Sequence, residues 1–187
     1  SKPYRRRPAA PFMTSTLQQE ASGRLGFSAS RTMGAAQKLY EEGHITYMRT
    51  DSTTLSADAL SAARTLIRER FGHDHLPADA RVYNKKVKNA QEAHEAIRPA
   101  GDAWRDPSDL GFKGDTTDSD QARLYQLIWS RTIASQMNDA EGQTVTIRLA
   151  ASPFGSETYE FGTSGTVITS PGFMSLYGRQ SDESDDE

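Results

Sequence analysis

Tyr47 and Arg49 are the residues of this chain best suited to chemistry, within His44-Ile45-Thr46-Tyr47-Met48-Arg49-Thr50-Asp51-Ser52-Thr53. On a strand, residues i and i+2 point to the same side. A short β-prone strand here presents a phenol and a guanidinium to one surface and turns Met48 the other way. A phenol can act as a nucleophile. A guanidinium clamps phosphate oxygens through paired N–H donors. The pair therefore suits a nucleic-acid backbone. Tyr-x-Arg alone also describes a packing tyrosine beside a solvated arginine, so this spacing leaves both readings open.

Two further stretches carry candidate groups. In Ala93-His94-Glu95-Ala96-Ile97-Arg98-Pro99, His94 and Arg98 stand four apart. They share a face if the segment is helical, and Pro99 ends the turn. Glu95 is a ready partner for Arg98. In Pro11-Phe12-Met13-Thr14-Ser15-Thr16-Leu17-Gln18-Gln19-Glu20, Ser15 or Thr16 followed by Gln three residues on matches a capping box. Thr14, Ser15 and Thr16 read as helix caps first and as phosphate contacts second, since a helix N-terminus can do both.

The elements that position these groups follow from periodicity. A helix is expected over residues 30–42, with Met33, Ala36, Leu39 and Tyr40 as its apolar stripe and Gly43 as its stop. It places the tyrosine just beyond a rigid element. Asp51 to Ser56 is a polar turn, and Ser56 caps a helix over 57–71 with Leu60, Ala63, Leu66, Ile67 and Phe71 inward and Gly72 at its end. A short strand is expected near Arg81-Val82-Tyr83, followed by a lysine patch at Lys85, Lys86 and Lys88. After turns at Asp106-Pro107 and Lys113-Gly114, Ser119 or Asp120 caps a helix over 121–138. Its apolar face is partly broken, and the stem of Arg131 can lie on it. From Gln143 the period becomes two. Residues 144–149 form a half-buried strand, Phe154 to Glu157 a turn, and 158–161 and 166–169 two more strands of an antiparallel meander. Residues 1–11 hold three prolines and four basic residues, an extended connector in which Arg5, Arg6 and Arg7 are more readily solvated than bound. Residues 181–187 form an acidic tail, expected to be disordered.

The residues 45–53 resemble the active-site tyrosine motif of bacterial type IA DNA topoisomerases. The stretches at 11–20 and 93–99 resemble that family in the same order. The resemblance runs from about residue 8 to 138, and more weakly to 177. It implies an α+β chain: a mainly helical, winged-helix or helix-turn-helix-like domain followed by antiparallel strands of a partial gate domain. Residues 1–10 would be the outgoing connector or strand of the gate, 11–138 the tyrosine-bearing cleavage domain and 139–180 the returning β-rich part.

The resemblance further implies relaxation of negatively supercoiled DNA without ATP, by single-strand cleavage through a 5′-phosphotyrosine, strand passage and religation. Tyr47 would be the nucleophile, Arg49 would stabilise phosphate charge and His94 would position the phosphate. Thr14, Ser15, Thr16, Arg98 and Asp51 would lie along the DNA, although structural support is the plainer reading of Asp51 and Thr46. A phenol has an ordinary pKa of about 10 and is a weak nucleophile at neutral pH without help. The family supplies that help from a separate domain with Mg²⁺-holding carboxylates, a lysine and a glutamate. No Asp-x-Asp-x-Glu pattern occurs here. No metal is therefore expected to bind this chain, and the chain alone is expected to be inactive. Its partners would be single-stranded DNA and the remaining domains of a parent enzyme in the bacterial cytoplasm.

Composition frames these readings. The 187 residues carry a net charge of -3, unevenly spread. Residues 1–100 hold 16 Lys and Arg against 10 Asp and Glu, whereas 101–187 hold 6 against 15. A basic half can face phosphates while an acidic half faces water. There is no cysteine, hence no disulfide or thiolate metal site. No apolar run is long enough for a membrane helix, and no signal-like leader is present. The first residue is Ser1, which suggests an excised piece. Three other readings remain. A tyrosine recombinase would place its arginine and His-x-x-Arg ahead of the nucleophile, whereas His94 follows Tyr47 with His-x-x-x-Arg spacing. A non-catalytic module that binds single-stranded DNA needs no chemistry at Tyr47. A purely structural fragment would make the charge split meaningless.

Overall fold

The computed structural model describes residues 1–83, 94–102, 104–110, 119–152 and 158–178. The lysines at 85, 86 and 88, the Lys113-Gly114 turn, the 154–157 turn and the acidic tail lie outside the described residues. The architecture is α+β, with four α-helices and one three-stranded antiparallel sheet among the described residues. The chain divides into two compact units, Ala9–Met137 and a second unit made of Ser1–Pro8 with Asn138–Glu187.

In the first unit, α1 spans Thr14–Leu25, α2 Ala29–Glu41, α3 Ala57–Phe71 and α4 Asp120–Ala134. Three of these starts are serine caps. The hydroxyls of Ser28, Ser56 and Ser119 accept from the backbone N–H of Arg31, Ala59 and Ala122 at 3.1, 3.2 and 3.1 Å, satisfying donors that a helix end leaves unpaired. The stop of α2 is set by Gly43, at φ 77°. The Gly43 N–H reaches the Tyr40 carbonyl at 3.0 Å and the His44 N–H reaches the Leu39 carbonyl at 2.8 Å, the crossed pair of a glycine-terminated helix. The start of α1 differs from expectation. Met13 is its N-cap, and Thr16 is the third helical residue, its hydroxyl accepting from the Met13 N–H at 3.1 Å. The hydroxyl run is shifted into the helix because Thr14 is used elsewhere.

The core of this unit gathers around α4. Leu124, Tyr125, Leu127, Ile128, Trp129, Thr132 and Ile133 are all buried. Burial on most sides explains the broken apolar stripe, since a helix covered all round has no polar face. The guanidinium carbon of Arg131 lies 4.4 Å over the Phe12 ring, as its position on that face suggests. The helix ends at Ala134, short of the expected residue 138. Gln136 beyond it is fully buried, and its amide both accepts from Arg81 N–H and donates to Arg81 C=O at 3.0 Å. Residues 81–83 form no strand: a side-chain amide takes the place of a neighbouring strand.

In the second unit, β1 spans Lys2–Arg6, β2 Ala140–Ala151 and β3 Tyr159–Ser170, in the order β1-β2-β3. Thus residues 2–6 are an edge strand and not a linker, and Arg5, although exposed, is held in place: its Nε lies 2.5 Å from the carboxylate of Asp139, which is buried. The three strands expected after Gln143 are two. Residues 158–161 and 166–169 belong largely to one strand, whose intervening Gly162 and Gly165 stay paired with Arg148 and Val145. Ladder bonds use the backbone, so glycines there need not break it. Directly opposite residues share a face. Gln143/Val167, Val145/Gly165, Ile147/Thr163 and Leu149/Phe161 make one face, and Thr144/Thr166 and Thr146/Ser164, joined through their hydroxyls at 3.0 and 2.9 Å, make the other. The apolar face is not half-buried as expected: Leu149 and Phe161 are each 64% exposed.

Candidate active site

The segment that carries Tyr47 is irregular, bending at Thr46 and Met48, and forms no strand. Among the described residues its sheet-like pairing is one bridge, Ile45 with Pro99. Side chains replace the missing ladder. The Thr46 hydroxyl donates to the Ala96 carbonyl at 2.7 Å and accepts from Arg98 N–H at 3.0 Å, and Thr46 N–H reaches the Arg98 carbonyl at 2.9 Å. The alternation survives. Met48 is 1% exposed, whereas Tyr47 is 50% exposed and Arg49 is exposed. Burying Met48 therefore fixes which way the phenol and guanidinium face.

Thr14 fixes the other side of Arg49. Its hydroxyl donates to the Met48 carbonyl at 2.7 Å, with the Thr50 carbonyl at 3.1 Å, and accepts from Thr50 N–H at 2.9 Å. Its own N–H bonds the Thr50 carbonyl at 2.9 Å. One hydroxyl thus holds the backbone on both sides of Arg49 against the start of α1. Thr14→Val keeps the shape and removes these side-chain bonds. It is expected to cost about 1–3 kcal/mol of stability, read as a lower denaturant midpoint.

The 94–99 segment is extended, not helical, so His94 and Arg98 share no helix face. Ile97 bridges Phe12, the Thr50 hydroxyl donates to the Glu95 carbonyl at 3.0 Å, and Ala96 N–H reaches the Thr54 carbonyl at 2.8 Å. His94 is exposed at the end of this segment. Arg98 turns inward and is 8% exposed. Its guanidinium donates to both Glu95 carboxylate oxygens, at 3.2 and 2.8 Å, and to the carbonyls of Pro99 and Gly101 at 2.8 and 3.0 Å. Those bonds occupy the groups that would meet a phosphate. Arg98 ties the segment together instead.

Glu95 also accepts from Ser56 N–H at 2.8 Å, which joins this segment to the start of α3. Burial alone would raise its pKa, but the Arg98 guanidinium and Ser56 outweigh that and hold it below its ordinary 4.5. A carboxylate with a lowered folded pKa contributes stability above its unfolded value and loses it as pH falls through the folded one. Glu95→Gln is therefore expected to lower stability at neutral pH and to flatten the acid limb of a stability–pH curve below about 4.5.

These anchors leave a cleft lined by Met13, Thr14, Ser15, Gln18, Arg49, Thr50, Asp51 and His94. The Arg49 guanidinium makes no ion pair or hydrogen bond among the described residues. The positive end of α1 opens beside it, and with His94 and the Ser15 hydroxyl it favours an anionic occupant. Asp51 is the opposing charge and repels one. Thr16 is bonded to Met13 and does not line the cleft. Tyr47 is outside the lining, its ring 5.2 Å from that of Tyr40. Met13, Gln18 and Thr50 line the cleft without having been site candidates in the sequence, where Gln18 read only as a capping-box partner of Ser15. The signal for Gln18 was its position, one helical turn after Thr14 and Ser15. Among the described residues, no three His, Asp or Glu side chains gather as a metal site would require.

A second hollow, at the end of α2, contains His44, Arg105 and Tyr125. Burial, helped by the Asp106 charge, pushes the Tyr125 phenol up to about 12, and its hydroxyl donates to the Arg105 carbonyl. That phenol keeps its proton. No described helix is long and apolar enough to cross a membrane.

A family profile described as DNA topoisomerase matches residues 1–187. The chain is 57% identical to "DNA topoisomerase 1" of Mycolicibacterium smegmatis over 97% of its length, and 56% identical to that of Streptomyces coelicolor over 98%. It spans 19% of the length of each of these relatives. Among solved structures, full-length topoisomerase I from Thermotoga maritima matches 95% of the chain with TM-score 0.73 and 36% identity, the chain covering 28% of that protein.

Proposed function

Since the chain belongs to the bacterial DNA topoisomerase family, we propose that it is the tyrosine-bearing part of a type IA enzyme that relaxes negatively supercoiled DNA. The observation that carries this reading is that Tyr47 and Arg49 are both exposed on either side of the buried Met48, with Arg49 unpartnered among the described residues and lining a cleft with Ser15 and His94. The Tyr47 oxygen attacks a backbone phosphorus, forming a Tyr–O–P bond to the 5′-phosphate. The bond to the 3′-oxygen breaks, and that oxygen leaves as a hydroxyl. Religation reverses the exchange. One phosphoester replaces another, so no ATP is consumed. Arg49 holds the charge that grows on the phosphoryl oxygens, and His94 positions that phosphate. Thr14 and Ser15 of the cleft lining track the neighbouring DNA, with Thr14 also holding the backbone, and Asp51, whose charge repels phosphate, borders that path as structural support.

The described residues do not gather the carboxylates that the family's Mg²⁺ requires. In this reading other parts of the parent enzyme hold it. Residues 11–138 act as the cleavage domain, and the strands on either side belong to a gate whose remaining strands cover the exposed apolar face of β2 and β3. The setting is the bacterial cytoplasm, at the nucleoid. The competing reading is a module that holds single-stranded DNA without chemistry.

Plasmid relaxation separates them. The full-length enzyme carrying this sequence is expected to relax negatively supercoiled plasmid with Mg²⁺ and without ATP, and the isolated chain to leave it supercoiled. Robust relaxation by the isolated chain would overturn the division of labour. No relaxation by the full-length enzyme would favour the binding module.

A further inference from the structure

We propose that Tyr40 is a positioning residue for Tyr47, its ring setting the orientation of the nucleophile's phenol. This inference rests on Tyr47 being the nucleophile. The two rings meet edge to face, with centroids 5.2 Å apart and planes at 66°, a favoured arrangement for aromatic pairs.

The argument turns on which parts of Tyr47 are otherwise fixed. Its backbone is held from both sides: Thr46 is bonded to the 96–98 segment, and Met48 is buried with its carbonyl bonded to Thr14. The side chain is not held the same way. Its hydroxyl makes no hydrogen bond among the described residues, and half of its surface faces solvent. Rotation about the two side-chain torsions would sweep the oxygen across several ångströms. Attack on phosphorus needs that oxygen in line with the leaving group. Among the described residues, the aromatic ring packed on Tyr47 is that of Tyr40.

The Tyr40 backbone is well anchored. It sits in the last turn of α2, beside the fully buried Leu39, and its carbonyl accepts from Gly43 N–H at 3.0 Å. Yet Tyr40 is 42% exposed. The ring stands at the surface, against the side chain whose direction matters. Gly43 is part of the device, since its left-handed turn folds the chain back so that residue 47 returns to residue 40.

The test uses the full-length enzyme, a single-stranded oligonucleotide at saturating concentration and single-turnover covalent capture. Tyr40→Ala is expected to slow capture about three- to tenfold, the fold-change that one edge-to-face pair can supply. Tyr40→Phe, which keeps the ring, is expected to capture at the unsubstituted rate. Oligonucleotide affinity is measured with Tyr47→Phe as background, so that no covalent step intervenes. It is expected to be the same for Tyr47→Phe alone and for Tyr47→Phe combined with Tyr40→Ala. Capture by Tyr40→Ala at the unsubstituted rate would overturn the proposal. So would a Tyr40→Phe variant as slow as Tyr40→Ala, which would assign the effect to the hydroxyl. A fall in affinity matching the fall in capture would also overturn it, making Tyr40 a DNA contact. Capture by Tyr47→Phe alone would identify the failure as that of the nucleophile assignment.

Discussion

Tyr47→Phe in the full-length enzyme is expected to abolish covalent DNA capture and plasmid relaxation together, each by at least about 10⁴-fold. The substitution removes one oxygen. The ring keeps its contact with Tyr40, and the lost hydroxyl had no hydrogen-bond partner among the described residues. Stability and oligonucleotide affinity are therefore expected to hold, so loss of activity cannot be attributed to unfolding. Capture is read by denaturing the enzyme after incubation with end-labelled oligonucleotide and measuring protein-bound label. Tyr125→Phe makes a useful contrast. Its phenol is held protonated at about 12 and bonded to a carbonyl, and its loss is expected to affect folding and leave the captured linkage intact.

Arg49→Ala is expected to slow single-turnover capture about 10²- to 10³-fold at saturating DNA, the range for losing one well-aimed charge stabiliser. Arg49→Lys keeps the charge without the planar fork, and should recover only part of that loss. Because Arg49 has no partner among the described residues, neither change leaves a buried group unpaired, and the melting temperature is expected to stay put. The dependence of binding on salt should weaken by about one phosphate contact. A slower rate with an unchanged melting temperature separates a charge role from a structural one.

Much of the helical framework was legible because local chemistry set it. Ser56 and Gly72 bracket α3, whose observed bounds, Ala57–Phe71, are those the sequence implies. Gly43 marks the end of α2 in the same way. What could not be read was set by groups distant in sequence. Thr14 looked like one of three equivalent cap candidates, and only contact with residues 48 and 50 gives it a different task. The alternation of exposed Tyr47, buried Met48 and exposed Arg49 was legible. The strand itself was not formed, because Thr46 bonds through its side chain. The partnership of Arg98 with Glu95 was legible from their spacing, whereas the burial that makes it a structural tie was not. The length of β3 was hidden because the apolar alternation lapses between 161 and 166, where the ladder nevertheless continues through the backbone.

The most direct test is to find the atom that holds DNA. Covalent complex formed with a short single-stranded oligonucleotide would be trapped by denaturation, digested with nuclease and trypsin, and sequenced by mass spectrometry. Cleavage after Lys38 and Arg49 releases one peptide, residues 39–49, that contains both Tyr40 and Tyr47. The account predicts a nucleotide joined through its 5′-phosphate to the oxygen of Tyr47, with Tyr40 unmodified. Nucleotide on Tyr40, on any residue outside this peptide, or joined through a 3′-phosphate would contradict it.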